Sequence, residues 1–434
     1  MRTLAIQSGF FFAFLLHNHF FPLPTPREAE GIILSLHPMN IVLFDDPAIR
    51  TNLLPLTFTR PVANIRVGIL TIAEKWEKRL SANISFLTEP YLQKKFPANP
   101  GKDNLFINGA WCPDAPALLS LKSLKPNEVL VHNNFILAWR SEEMALPDLK
   151  KNIPRIFTES VTLIDQVWKI FQFNAAQIRE DYALISAGRK SAGVHDQYTA
   201  VYNDKNIFVE EGVSIRSAIL NAENGPIYLG KNSSVQEGAI IRGPFALGEE
   251  SVINMGAKMR ADTTIGPFSK VGGEVSNSVI FGYSNKAHDG FIGNTVLGEW
   301  CNLGADTNTS NLKNNYENVK VWNYAKGGFT DTGLQFCGLI MGDHSKCGIN
   351  TMFNTGTVVG VSANIFGDGF PRNFIPSFAW GGASGFTTYQ LKKAFETAGR
   401  VMERKKQDLK DADKDILTKV FELTSGYRVW DKGK

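Results

Sequence analysis

The sequence predicts an α/β domain, then a parallel β-helix of six-residue units, then a helical tail. Three observations predict it. Between Ile207 and Gly367 one apolar side chain returns at every sixth position: Leu229, Val235, Ile241, Leu247, Ile253, Met259, Ile265 and Val271, then, after an interruption, Met341, Cys347, Phe353, Val359 and Ile365. Ahead of that stretch, short β-rich runs alternate with helical ones from Met39 to about Leu184. Behind it, Leu391, Phe395, Ala398 and Met402 form one helical stripe.

A period of six matches neither a helix nor strict strand alternation, and fixed self-similarity marks a solenoid. Each short strand turns one apolar residue inward. Gly230, Gly248, Gly266, Gly272, Gly342, Gly348 and Gly360, each just after an inward position, turn the corners. Three such units close one triangular coil. A single coil cannot bury its apolar face, so coils must stack.

The chain's 434 residues leave room for two or three domains, and 43% hydrophobic with 20% charged residues is ordinary globular composition. A net charge of +4 is too small for a nucleic-acid footprint and suits an anionic small ligand. Cys112, Cys301, Cys337 and Cys347 form no C-x-x-C pair, which predicts reduced, buried thiols in a cytoplasmic protein. Residues 1–38 fit nothing downstream. The apolar run Phe10–Leu16 is far short of the ~20 residues that span a bilayer, and no clear signal cleavage site follows it. Met39, opening the strand Asn40-Ile41-Val42-Leu43-Phe44, is the expected start, with 1–38 a non-native or disordered extension. The domains are then 39–200, closing in the small, polar linker Ala183–Ala200, then 201–370, and a capping segment with helical tail at 371–434.

In the first domain the strand candidates are Ile41–Phe44, Ile84–Leu87, Leu105–Asn108, Val129–Val131 and Phe135–Trp139, with helices at Ile69–Leu80 and Leu163–Ile178. That alternation predicts a parallel or mostly parallel sheet with helices on its faces. Ligands on such sheets sit beyond the carboxyl ends of the strands, which places Asp45, Asp46 and Arg50–Gly68 at the mouth.

Pro55-Leu56-Thr57 and Thr59-Arg60-Pro61 resemble, in order and spacing, the PLT…RPK stretch of sugar-1-phosphate nucleotidyltransferases. The resemblance implies a Rossmann-like nucleotidyltransferase domain. Arg50, Arg60, Arg66 and Lys75 would then neutralise phosphates, and Asp45 or Asp46 would hold Mg²⁺. Three departures stand out. The family's glycine-rich loop is replaced by Asp45-Asp46-Pro47-Ala48-Ile49-Arg50, its lysine by Val62, and its metal-binding aspartate by Ala110.

The hexad beat falters between Val271 and Leu297, where Lys286-Ala287-His288-Asp289-Gly290-Phe291-Ile292-Gly293 precedes Asn302-Leu303-Gly304-Ala305. This is similar to the acetyltransferase half of the GlmU family, which makes UDP-N-acetylglucosamine. The segment PLTFTRP looks most like that of the divergent GlmU-like proteins of Bacteroidetes-type bacteria. The resemblance implies a left-handed β-helix, a catalytic histidine at His288, a substrate-binding asparagine at Asn302 and another at Asn311. The family's tyrosine falls on Phe291, and Lys320 lies where some relatives place a loop lysine. A family arginine falls on Gly272, where Lys270 or Lys258 would substitute, and a family lysine falls near Ser276, so sugar-phosphate binding would be built differently.

The residue types suit acetyl transfer. An amine must lose a proton to attack a thioester, and an imidazole takes it near neutral pH. Backbone N–H groups around Gly304 and Ala305 would hold the oxyanion. Ala305, Gly348 and Thr351 lie where family members lay acetyl-CoA. The asparagine-rich interruption Ala305–Gly338 would cross to a neighbouring subunit and make a homotrimer, and Trp322, Tyr324 and Phe329 either cover a ligand or pack on the coil. His344 reads as a corner residue, and Thr387-Thr388-Tyr389-Gln390 as a capping box. Lys392, Lys393, Arg400, Arg404, Lys405 and Lys406 are either coenzyme A phosphate ligands or a solvated face. The expected substrates are an amino-sugar 1-phosphate, acetyl-CoA and UTP, with no nucleic-acid or membrane partner. The alternatives are one working domain, or a non-catalytic trimeric sugar-nucleotide-binding protein.

Overall fold

The computed structural model describes residues 40–148 and 152–431, so the expected extension 1–38 and start at Met39 lie outside the described residues. The first domain runs β1 (Asn40–Phe44), α1 (Pro47–Asn52), α2 (Ile72–Leu80), β2 (Ile84–Leu87), β3 (Asn104–Asn108), α3 (Ala115–Lys122), β4 (Glu128–His132), β5 (Phe135–Ser141), β6 (Ile153–Ile156) and α4 (Lys169–Ser186). Its sheet has the order β2-β1-β3-β5-β4-β6. β1 pairs parallel with β2 and β3, and β4 with β6, but β5 is antiparallel to both β3 and β4. The sheet is mixed because Asn133-Asn134, with Asn133 at φ +51°, closes β4 and β5 into a hairpin. α1 and α3 open on aspartate caps, Asp46 and Asp114, each with proline in the first turn. α2 starts at Ile72 rather than Ile69 because Thr71 and Glu74 form a capping box.

From Ala200 the chain winds into a β-helix of the left-handed hexapeptide type. Its three faces are parallel sheets of six, nine and ten strands, the last strand of the third being antiparallel. Leu229, Val235, Ile241, Leu247, Ile253, Ile265 and Val271 all point inward with 0% exposure. One corner of each coil needs a left-handed residue, and Phe268, Tyr283, Trp300 and His344 occupy it at φ +53° to +62°. Their rings stack in a column, with centroid spacings of 5.0, 4.2 and 6.2 Å. Stacking offsets a backbone conformation that bulky residues disfavour. His344 is thus a corner residue.

Within the interruption Lys320–Asn323 and Gly328–Asp331 form a hairpin. Trp322 stacks on Phe374 at 4.1 Å and Tyr324 is buried, so both pack on the coil. The expected capping box is not formed: Gly385–Thr388 is a strand paired with Ala379–Gly382, and α5 (Leu391–Glu403) starts at Gln390 without a side-chain cap. α5 buries Ala394, Ala398 and Met402, and α6 (Asp411–Leu423) buries Ile416, Leu417 and Val420. All four cysteines are unpaired and buried.

The first domain and the solenoid share one hydrophobic core. The Asn174 amide on α4 donates to Asp262 O at 2.9 Å, and its oxygen accepts from Gly68 N and the Thr264 hydroxyl. The Asp343 carboxylate, in the solenoid, accepts from Arg60, from the Thr59 hydroxyl at 2.7 Å and from Glu299 N at 2.9 Å. Removing one member of a buried pair strands the other charge. Arg60→Met should therefore lower unfolding free energy by about 3–5 kcal/mol in urea titrations, and Arg60→Met/Asp343→Leu should recover most of the loss.

Candidate active site

The third face of the solenoid carries a column of polar side chains. Lys270 pairs in register with Asn285, Asn285 with Asn302, and Asn302 with Lys346. Neighbouring rungs are about 4.8 Å apart, so the two lysines bracket the asparagines over roughly 14 Å. The turn after Lys286 brings His288 beside this column. All five residues line one cleft of about 660 Å³. α5, with Thr397 and Val401, and the turn after it, with Arg404 and Lys405, form the opposite wall. The lining holds four lysine or arginine side chains and no carboxylate.

His288 is solvent-exposed, and its ring has no hydrogen-bond partner among the described residues. Asn302 is half-buried one coil away. Burial depresses the Lys346 ammonium to a pKa of about 8, while its Nζ donates to His344 O at 2.8 Å. Desolvation, then the Lys270 and Arg404 charges, lower Lys405 as well. Partly desolvated cations without counter-charges favour an anionic ligand. The Gly304 amide is spent on Cys347 O at 3.1 Å, so of the two amides expected to hold an oxyanion it is already committed. Lys258 lies on another face and does not line the cleft, whereas Lys270 does.

Other expected site residues lie elsewhere. Ala305 lines the cleft, but Gly348 donates to Ile365 O and the buried Thr351 hydroxyl to Gly348 O, leaving Ile349 between them as the lining residue. Phe291 sits on the first face, its amide donating to Asn308 Oδ1 at 2.9 Å. Asn311 donates to Asn294 Oδ1 at 2.9 Å. Lys320 is exposed on the hairpin and lines a separate cleft with Lys313, Trp322 and Arg372.

The first domain's charged residues face inward contacts. Asp45 is buried, accepting from Arg50 at 2.7 Å, the Thr88 hydroxyl at 2.5 Å and Val62 N at 2.8 Å. Desolvation raises its pKa against the pull of Arg50. Asp46 caps α1 through Ala48 N and Ile49 N. Both carboxylates are thus committed, and no group of three or more metal-type ligands occurs among the described residues. The donor set does not fit the expected Mg²⁺. Arg50 also donates to Arg60 O, Thr57 O and Tyr91 Oη. Arg60 pairs with Asp343 and with Glu299 at 3.3 Å, and its guanidinium lies over the Phe281 ring. Arg66 donates to Phe281 O at 3.0 Å, and Lys75 is buried against Asp181 at 2.5 Å. The expected phosphate ligands instead tie the fold together.

Residues 41–190 match the family described as sugar nucleotidyl transferase. A bifunctional sugar-1-phosphate nucleotidylyltransferase/acetyltransferase of Sulfurisphaera tokodaii is 33% identical over 160 residues, 36% of this chain and 37% of that protein. A bifunctional GlmU protein of Methanocaldococcus jannaschii is 36% identical over 87 residues, 20% of this chain and 21% of that one. The chain thus spans well under half the length of these relatives. An Arabidopsis UDP-N-acetylglucosamine acyltransferase structure matches 55% of this chain and 84% of its own, at 15% identity and a TM-score of 0.26.

The depressed Lys346 has a consequence for stability. Between its folded pKa of about 8 and the ordinary 10.5, the unfolded chain binds the extra proton, so stability rises with pH across that window. Lys346→Met should stabilise the fold at pH 7 by about 1–2 kcal/mol, and the gain should shrink as pH climbs from 8 towards 10.5. Urea midpoints at both ends of the window check this.

Proposed function

With a sugar nucleotidyl transferase match in the first domain and GlmU-type relatives as premise, we propose that the solenoid transfers an acetyl group from acetyl-CoA to the amine of an amino-sugar 1-phosphate, glucosamine 1-phosphate in the first instance. One observation carries the reading: His288 and Asn302 share a cleft whose only charges are cations. His288 takes the proton from the amine as its nitrogen attacks the thioester carbonyl. The Ala305 amide steadies the oxyanion, the C–S bond breaks, and the thiolate leaves and is protonated. Asn302 holds the sugar. Lys270 takes the acceptor phosphate, in place of the family cations lost at Gly272 and Ser276. Lys346 takes coenzyme A phosphate at the Ala305 end, while Arg404 and Lys405, whose charges act with that of Lys270, flank the acceptor phosphate.

In the full reading the first domain then joins the N-acetyl sugar phosphate to UTP, giving UDP-N-acetylglucosamine and pyrophosphate. The match over 41–190 supports this half. A second reading, acetyl transfer alone, is favoured by the commitment of Asp45, Arg50 and Arg60 to internal contacts. We place the protein in the cytoplasm as a homotrimer. Asn311, Phe291 and Lys320 lie away from their own chain's cleft, where a neighbouring subunit would use them. No helix among the described residues is long and apolar enough to cross a membrane.

Thiol release from acetyl-CoA with glucosamine 1-phosphate tests the proposal. His288→Ala should lose about 10²–10⁴-fold in kcat. No release from folded wild-type protein removes the assignment. Lys270→Gln should raise KM for the sugar phosphate roughly tenfold at unchanged kcat, as loss of one ground-state contact does. Adding UTP separates the two readings: UDP-N-acetylglucosamine with pyrophosphate means both domains work, and N-acetylated sugar phosphate alone means one does.

A further inference from the structure

One column of inward positions on the third face runs Ile215, Val235, Ile253, Val271, Lys286, Leu303, Cys347 and Ile365. Seven of the eight carry aliphatic or thiol side chains. Lys286 is a lysine inside the coil, 1% exposed. Its Nζ donates to His288 O at 2.6 Å and to Asp289 O at 2.8 Å. Gly273, at φ +69°, lies beneath the turn: a Cβ there would meet Gly290 O at 2.5 Å and Nζ at 2.9 Å.

These two bonds complete a pattern. The turn 287–290 presents four carbonyls, and each has a donor. Ala287 O accepts from the Asn254 amide at 2.7 Å. His288 O accepts from Lys286, and Asp289 O from Lys286 and from Asp306 N at 3.1 Å. Gly290 O accepts from Glu274 N at 3.0 Å. Among the described residues the imidazole of His288 has no partner to orient it, so the region it can reach is set by where the backbone aims its Cα–Cβ bond. That backbone is pinned from below, and two of the pins are one ammonium.

We propose that Lys286 is a positioning residue, fixing the turn of His288 from within the solenoid core so that the imidazole faces the cleft. The inference rests on His288 being the general base. A buried ammonium is costly, and replacing it with an apolar side chain of similar length is often neutral or stabilising. Desolvation lowers the Lys286 pKa to about 8 despite the nearby Asp289, Asp306 and Cys347, in keeping with that cost. Packing does not explain a lysine where the column calls for an aliphatic.

Lys286→Met is the test, read by steady-state kinetics and by ¹H–¹⁵N spectra of the His288 ring. The variant should melt no lower than wild type. Its kcat for acetyl transfer should fall 10–100-fold, with KM for acetyl-CoA within twofold. The ring resonances, single in wild type, should broaden or split. If Lys286→Met does not fold, Lys286→Gln, which keeps two N–H donors at shorter reach, takes its place, with an expected three- to thirtyfold loss. Wild-type kcat together with an unchanged ring spectrum overturns the proposal. If wild type shows no acetyl transfer, the reading of His288 has failed, and the ring spectrum alone still decides whether Lys286 positions it.

Discussion

Stacking of one coil on the next at a fixed rise is the constraint from which the rest follows. Parallel strands in register turn residues of equal phase into straight columns. An inward column becomes core, as with Val235, Ile253 and Val271. A corner column gathers Phe268, Tyr283, Trp300 and His344 into a stack. An outward column sets Lys270, Asn285, Asn302 and Lys346 side by side. The site is therefore assembled from residues far apart in sequence without any loop having to find its place. Rigid strands hold side chains more accurately than loops do, which suits a reaction that depends on orientation.

The first domain shows the opposite use of charge. Its signature arginine, Arg60, is buried against Asp343 in the solenoid, and Arg66 reaches the carbonyl of Phe281. Asp45 and Arg50 neutralise each other beneath the mouth of the sheet. Buried pairs of this kind contribute little net stability, yet breaking one is costly. They fix the register of sheet against solenoid, and occupy the groups that phosphate chemistry would need. Cations left without carboxylate partners collect instead in the His288 cleft. The balance of chemistry shifts towards the solenoid.

Much of this was legible in the sequence. The six-residue beat needs no tertiary information, because each inward position is set by its neighbours above and below. Strands β1 to β5 fall within two residues of their expected ends, since their β-rich runs are short and bounded. His288 and Asn302 were legible through the surrounding motif and do share a cleft. The mostly parallel sheet was legible, but its one antiparallel strand, β5, was not, because the hairpin turn at Asn133-Asn134 carries no glycine signal. Asp46 reads as a metal ligand only if the helix-opening pair Asp46-Pro47 is overlooked. Thr387 and Thr388 have the letters of a capping box, but their backbone is claimed by a strand. Lys346 is not legible locally because its phase must be counted across the interruption, and neither is the inward direction of Lys286, because nothing local distinguishes an inward lysine from an outward one. The partners of Arg60 were out of reach, since Asp343 lies 283 residues further along the chain.

The measurement that bears most directly on the account is a crystal structure of the protein with coenzyme A and an amino-sugar 1-phosphate. Both ligands are expected in the solenoid cleft, with the sugar amine within hydrogen-bond reach of the His288 imidazole. The sugar phosphate should lie at the Lys270 end and the coenzyme A phosphates at the Lys346 end. Ligands seated instead beyond the strands of the first domain, with Arg50 and Arg60 released from Asp45 and Asp343, would contradict it.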